Sequence, residues 1–117
     1  RNHSSAASDV YKRQNEMYPK IIAEDAAEYF DEFNLLFSED SPIASKEARL
    51  VAVAVSAAIR CEYCISAQVH SAKMAGATDD EIKAAIQIAA EIQRFSTLLY
   101  GNDFGIERLE KILGVID

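Results

Sequence analysis

Two cysteines, Cys61 and Cys64, are the residues of this sequence whose type and spacing point most directly to chemistry. Three residues along a helix turn the side-chain direction by about 300°, so both sulfurs would lie on one turn, close enough to form a disulfide. A helix N-terminus and the cation of Arg60 would favour the nucleophilic thiolate, whereas the carboxylate of Glu62 would oppose it. The pair therefore predicts thiol–disulfide redox chemistry.

Two other interpretations of the cysteine pair stay open. A structural zinc site needs four ligands, but outside the first fourteen residues the sequence offers only two cysteines and one histidine, His70, so zinc would have to be shared between subunits. The cysteines could also pack as small apolar side chains without any chemistry. Redox chemistry is favoured over both, and we expect neither a metal nor a cofactor at this site.

The elements that position the cysteines are predicted to be helices throughout. The sequence has only four glycines and two prolines, which favours an all-α fold over a sandwich with many turns. Gly76 has the position of a helix C-cap, and residues 78–81 match a capping box that opens the following helix. Apolar spacing predicts a domain of five to six helices, the clearest over residues 17–37, 46–59, 60–74, 79–99 and 104–115.

Length and charge limit the classes of function. The chain of 117 residues suits one small domain, and its net charge of −7 disfavours nucleic-acid binding and attraction to an anionic membrane. Its longest apolar stretch is about half of what a bilayer crossing needs, and it lacks the apolar core of a signal peptide. We therefore expect a soluble, cytoplasmic protein. A domain this small buries little apolar surface by itself, so we also expect a homo-oligomer.

The first fourteen residues, RNHSSAASDVYKRQ, are polar and show no helical periodicity until their end. Residues 9–14, DVYKRQ, look like the translated end of a transposase adapter used in preparing sequencing libraries. We therefore predict that residues 1–14 are non-native or disordered and that the domain comprises residues 15–117. Without this segment, the net charge would change from −7 to −9.

The stretch from residue 46 to residue 81, KEARLVAVAVSAAIRCEYCISAQVHSAKMAGATDDE, carries a specific combination of features. An alanine- and valine-rich segment runs into C-x-Y-C-I, and A-x-x-A-G-A-T-x-x-E-I follows over residues 72–82. This combination resembles the carboxymuconolactone decarboxylase-like superfamily, in particular its CxxC-bearing alkylhydroperoxidase D-like branch. A looser resemblance extends over residues 33–99.

The resemblance implies an all-α fold, assembly into trimers, hexamers or other symmetric oligomers, and a thiol-dependent peroxidase activity. In the family the second cysteine attacks the peroxide and the first resolves the sulfenic acid, which implies that Cys64 is peroxidatic and Cys61 is resolving. A dithiol reductant or protein redox partner would supply the electrons. The alternatives are a disulfide-exchange protein without efficient peroxide turnover and a non-catalytic oligomer.

In the family, a histidine and a glutamate form a proton relay that assists the attacking cysteine, and this sequence departs from the relay at both positions. Gln68 stands where the family has a histidine, and Arg49 stands where it has a glutamate. Gln68 can donate a hydrogen bond to the sulfur of Cys64 one turn before it, but it cannot take a proton. Arg49 would favour a thiolate if it faces the cysteines. Glu47 is a candidate displaced acid, and His70 is a candidate base that helical spacing directs away from the pair within one subunit.

Overall fold

The structure is a computed structural model, and it describes residues 15–117. Over this range the protein is all-α, as predicted, with a short 3-10 turn at Asn15–Met17 followed by five α-helices. The helices are α1 (Lys20–Leu35), α2 (Ser45–Ala58), α3 (Glu62–Met74), α4 (Asp79–Gly101) and α5 (Ile106–Leu113). None of the described helices is long and apolar enough to cross a membrane. The predictions for residues 1–14 lie outside the described residues.

The described residues divide into two compact units, 15–48 and 49–117, and α2 begins in the first unit and continues in the second. Aromatic rings pair edge to face in the first unit, with centroid distances of 6.5 Å for Tyr18–Phe30 and 5.1 Å for Phe33–Phe37. The second unit has a small core to which α2, α3 and α4 all contribute. Its buried members are Val53, Ala72, Ala77, Ile82 and Ala85. This core holds together α4 and the two helices, α2 and α3, between which Cys61 lies.

The start of the first helix differs from the prediction. Apolar periodicity predicts a helix from Met17, but α1 begins at Lys20, with Pro19 as its N-cap at φ −57° and ψ 144°. A residue that precedes proline is kept out of the α region, so the helix cannot continue back through Tyr18. The helix also ends at Leu35 rather than Phe37, and hydrogen-bonded turns follow it. The boundaries of the other four predicted helices agree with the structure to within two residues.

Four helices, α2 to α5, end in the same backbone hydrogen-bond pattern. In each, one residue just past the helix has a positive φ, its N–H donates to the carbonyl three residues back, and the next N–H donates five residues back. This is the Schellman motif, in which glycine is the usual left-handed residue because it has no Cβ. The left-handed residues here are Arg60, Gly76, Asp103 and Gly114. The motif at the end of α2, just before the cysteine pair, therefore has arginine rather than glycine as its left-handed residue.

Candidate functional site

The cysteine pair lies at the junction between α2 and α3. A disulfide joins Cys61 and Cys64, whose Cα atoms are 5.1 Å apart, and both residues are half-buried. This Cα separation lies within the usual range for disulfides. The spacing argument from the sequence is thereby confirmed, because the two sulfurs are close enough to bond.

Cys61 has two structural roles at this junction. Its N–H donates to the carbonyl of Ser56 at 3.1 Å and so completes the Schellman motif of α2. Its own backbone is extended, with φ −89° and ψ 102°, and it is the N-cap of α3. Its Sγ accepts a hydrogen bond from the N–H of Cys64 at 3.1 Å. The expected helix start near Cys61 is therefore confirmed, whereas Arg60, which the predicted helical range included, is left-handed rather than helical.

Cysteine at an N-cap does what serine, threonine or aspartate does more often. The first N–H groups of a helix have no partner within the helix, and a side-chain acceptor at the N-cap satisfies one of them. The same N–H groups carry a partial positive charge. The exposed cation of Arg60 adds to this field, and the exposed carboxylate of Glu62 in the first turn of α3 opposes it.

Arg49 and Gln68, the two residues at the altered relay positions, contact each other directly. Arg49 Nη1 donates to Gln68 Oε1 at 2.9 Å, and both residues are half-buried. The hydrogen bond joins α2 to α3 one turn beyond Cys64. The sequence placed both residues as candidates but gave no sign that they interact, because the contact spans 19 positions and depends on helix packing. Neither side chain can accept a proton from a thiol near neutral pH.

The other two candidate residues are exposed. His70 is exposed on α3, two residues past Gln68 and so about 200° around the helix from it. Glu47 is exposed near the start of α2, in the part of that helix that belongs to the first unit. Among residues 15–117, no three His, Cys, Asp or Glu side chains form a group that could hold a metal ion.

The all-α fold of residues 15–117 and the CxxC pair at a helix N-terminus define a class of protein: a helical protein whose two cysteines can form a disulfide. Residues 24–102 match the model of the carboxymuconolactone decarboxylase family, and the chain belongs to this family. The chain is also 32% identical over 78 residues to "Uncharacterized protein 4 in cox locus" of Paracoccus denitrificans. That alignment covers 67% of this chain and 63% of the relative, so the chain spans less than two thirds of the relative's length. No solved structure matches the chain.

Proposed function

We propose that this protein is a thiol-dependent peroxidase of the alkylhydroperoxidase D-like type, with Cys61 and Cys64 as its redox pair. The observation that carries the proposal is the disulfide between these residues at the N-terminus of α3. A dithiol at a helix N-terminus has its thiolate form stabilised, and the thiolate is the form that reacts with peroxides. Membership of a family that includes alkylhydroperoxidases supports the same chemistry.

The proposed cycle uses both sulfurs in turn. The Cys64 thiolate attacks one peroxide oxygen, the O–O bond breaks, and the other oxygen leaves as alkoxide or hydroxide and takes a proton from solvent. Cys64 is then a sulfenic acid. The Cys61 thiolate attacks its sulfur, hydroxide leaves and is protonated to water, and the Cys61–Cys64 disulfide forms. A dithiol donor returns the pair to the reduced state with two electrons and two protons.

The Arg49–Gln68 hydrogen bond favours a second candidate function, disulfide exchange with little peroxide turnover. A positioned general acid or base typically accelerates a reaction by roughly 10²- to 10⁴-fold, and neither Arg49 nor Gln68 can fill that role at neutral pH. Exchange between a thiolate and a disulfide needs no such group. The guanidinium of Arg49 remains able to stabilise a nearby anion through its charge.

The apolar surface of α4 supports assembly into a homo-oligomer, which we include in the proposal. Ile88, Ile92 and Phe95 follow one side of this helix and are 62%, 65% and 53% exposed. Symmetric association is the common way in which soluble proteins cover such a surface. The proposed assembly places the apolar side of α4 in a contact between copies of the chain.

The test of the proposed function measures thiol loss and cysteine modification after the fully reduced protein meets hydrogen peroxide. The Cys64→Ser variant is expected to lose all peroxide-driven oxidation. The matched Cys61→Ser variant is expected to form sulfenic acid at Cys64, detected by mass spectrometry after dimedone trapping, and no intramolecular disulfide.

Two outcomes would contradict this assignment in different ways. Sulfenic acid at Cys61 in the Cys64→Ser protein would reverse the roles of the two cysteines. Absence of peroxide oxidation in the wild-type protein, together with rapid reaction of the same sample with a small disulfide, would replace the peroxidase by the exchange protein. Circular dichroism of each variant checks that the helices are retained.

A further inference from the structure

We propose that Arg49 is a positioning residue, which holds the side-chain amide of Gln68 so that its NH2 group donates a hydrogen bond to the Cys64 thiolate once the disulfide is reduced. The inference rests on the proposed function, which it deepens by naming the group that stabilises the attacking sulfur. It gives the Arg49–Gln68 pair a role in which neither residue has to take a proton.

The contact between Arg49 and Gln68 fixes which end of the amide is left for other partners. A guanidinium has five N–H donors and no acceptor, so only the amide oxygen can face it. The structure has this arrangement, with Arg49 Nη1 donating to Gln68 Oε1 at 2.9 Å. The NH2 group of Gln68 is therefore the end of the amide turned away from Arg49, and this end can only donate.

Gln68 lies on the same side of α3 as Cys64. Four residues along a helix correspond to a turn of about 40° and a rise of about 6 Å. Helical side chains lean toward the N-terminus, so a residue covers the turn that precedes its own Cα. The turn that Gln68 covers is the one that holds Cys64. Both residues are half-buried, so solvent competes only in part for a hydrogen bond between them.

The sulfur of Cys64 needs a donor other than the backbone groups of the cysteine pair. The N–H of Cys64 donates to Cys61 Sγ at 3.1 Å, and the N–H of Cys61 donates to the Ser56 carbonyl. A side-chain NH2 from the next turn can supply what these two groups do not. Its hydrogen bond to a thiolate is charge-assisted and stronger than one to a neutral thiol, so it favours ionisation of Cys64. The thiol proton goes to solvent.

The other charged and titratable groups near the pair do not replace this donor. Arg60 and Glu62 are exposed and of opposite charge, so their effects oppose each other and are weakened by solvent and salt. Tyr63 and His70 are exposed on α3, and Glu47 is exposed on α2. The buried side chains of α4 do not titrate: Ile82, Ala85 and Ala89.

The first experiment measures the ionisation of Cys64 in a Cys61→Ser background, where Cys64 is the only thiol. Alkylation by iodoacetamide is followed as a function of pH, because its midpoint reports thiolate formation independently of access. Gln68→Leu removes the donor, and we expect the midpoint to rise by about one pH unit, the size of effect that a hydrogen bond to a charged group produces. An unchanged midpoint would overturn the proposal.

A double-mutant cycle separates positioning by Arg49 from a direct effect of its charge. The measurements are made in about 1 M salt, where the screening length is about 3 Å. Arg49→Met releases the amide, and we expect it to raise the midpoint by about 0.5 pH unit when Gln68 is present. In the Gln68→Leu background, the same substitution should change nothing. Equal rises in both backgrounds would mean that Arg49 acts on Cys64 directly, which contradicts the positioning role.

Gln68→Glu guards against a loss of helix packing in these variants. A glutamate keeps the bond to Arg49, as an ion pair, and so keeps the tie between α2 and α3, but it replaces the NH2 donor by a carboxylate oxygen. We expect the midpoint of Cys64 to rise at least as far as in Gln68→Leu. A midpoint equal to that with Gln68 would show that residue 68 does not act on the sulfur and would refute the proposal.

Lys73→Met is the matched control for charge. It removes an exposed cation near the other end of α3, where Lys73 pairs with Asp79 at 3.5 Å. We expect the midpoint of Cys64 to stay unchanged. A rise as large as that for Arg49→Met would assign the effect to net charge and remove the role of the Arg49–Gln68 contact. Circular dichroism of each variant checks that the helices are retained.

The second experiment keeps both cysteines, so it does not depend on the Cys61→Ser background. Reduced protein is treated with substoichiometric iodoacetamide at a pH below both alkylation midpoints, cleavage after Glu62 separates the cysteines, and mass spectrometry locates the label. We expect Gln68→Leu to lower the ratio of labelling at Cys64 to labelling at Cys61 by about tenfold. An unchanged ratio would contradict the proposal. No peroxide is present in either experiment, so failure of the donor role and failure of the peroxidase are distinguishable.

Discussion

The junctions on the two sides of α3 are built from the same backbone pattern but differ at the residues that matter for chemistry. At the α3–α4 junction, Gly76 is the left-handed residue, Ala77 closes the motif, and Thr78 caps α4. At the α2–α3 junction, Arg60 is left-handed, and Cys61 both closes the motif and caps α3. One junction uses three residues and the other uses two.

The two junctions differ in how strongly their residues favour local stability. The α3–α4 junction has glycine where φ is +96°, a full capping box between Thr78 and Glu81, and an ion pair of 3.5 Å between Lys73 and Asp79. Each choice favours stability locally. The α2–α3 junction instead holds a non-glycine residue at φ +56° and uses a sulfur as the capping acceptor. Strained backbone of this kind is concentrated at functional sites.

The largest effect that would test this comparison is expected from Gly76→Ala. A Cβ at residue 76 would meet nothing within 4 Å, so the substitution changes only the backbone preference. We expect the free energy of unfolding to fall by about 1 to 2 kcal/mol, the penalty for a left-handed residue with a Cβ. Chemical denaturation of the oxidised protein measures it.

Gly101→Ala is the matched control, because this glycine lies within α4 without a positive φ and also has nothing within 4 Å of an added Cβ. It should raise stability by about 0.5 kcal/mol, since alanine favours a helix. Equal destabilisation by both substitutions would show that left-handed geometry does not set the stability of the α3–α4 junction.

A smaller loss is expected from Thr78→Ala. The substitution removes the hydroxyl that accepts the N–H of Glu81 at 3.1 Å, and we expect a cost of about 1 kcal/mol, typical of an N-cap. Thr78→Ser keeps the acceptor and should stay within a few tenths of a kcal/mol of the wild type. A loss for Thr78→Ser as large as that for Thr78→Ala would show that the methyl group, not the cap, stabilises this junction.

The smallest effect is expected from Arg60→Gly, and its sign is opposite. Relief of left-handed strain by about 1 to 2 kcal/mol is largely offset by the greater backbone entropy that glycine has in the unfolded chain, which leaves a net gain of about 0.5 kcal/mol. Arg60→Lys has the same strain and charge and should leave the midpoint of unfolding unchanged. A clear loss of stability for Arg60→Gly would mean that the arginine side chain stabilises the junction through contacts of its own.

The sequence predicted the α3–α4 junction better than the α2–α3 junction, and the reason is physical. Gly76 and the Thr78–Glu81 pair are local signals, since each acts within a few residues of its own position. Arg60 gives no such signal, because nothing in arginine's preferences predicts a left-handed conformation. The helix start near Cys61 was therefore predicted, but Arg60 was included in the helical range because its left-handed conformation leaves no mark in the sequence.

The Arg49–Gln68 contact could not be predicted from the sequence, for a different reason. The resemblance identified both positions, but their hydrogen bond depends on how the core around Val53 and Ala72 brings α2 and α3 together. Helical spacing relates residues on one helix and says nothing about the register between two helices. The cysteines share one turn, which is why their proximity could be predicted.

The double role of Cys61 limits the changes of chain length that the site can tolerate. An added residue between Ser56 and Cys64 would separate the end of α2 from the start of α3, because one residue could no longer complete both hydrogen-bond patterns. It would also turn the cysteines by about 100° relative to α2 if the helix absorbed it. At the α3–α4 junction, Ala77 already separates the two roles. We therefore expect the protein to tolerate insertions and deletions less well at the junction before α3 than at the junction after it, even where the identity of the left-handed residue is free to vary.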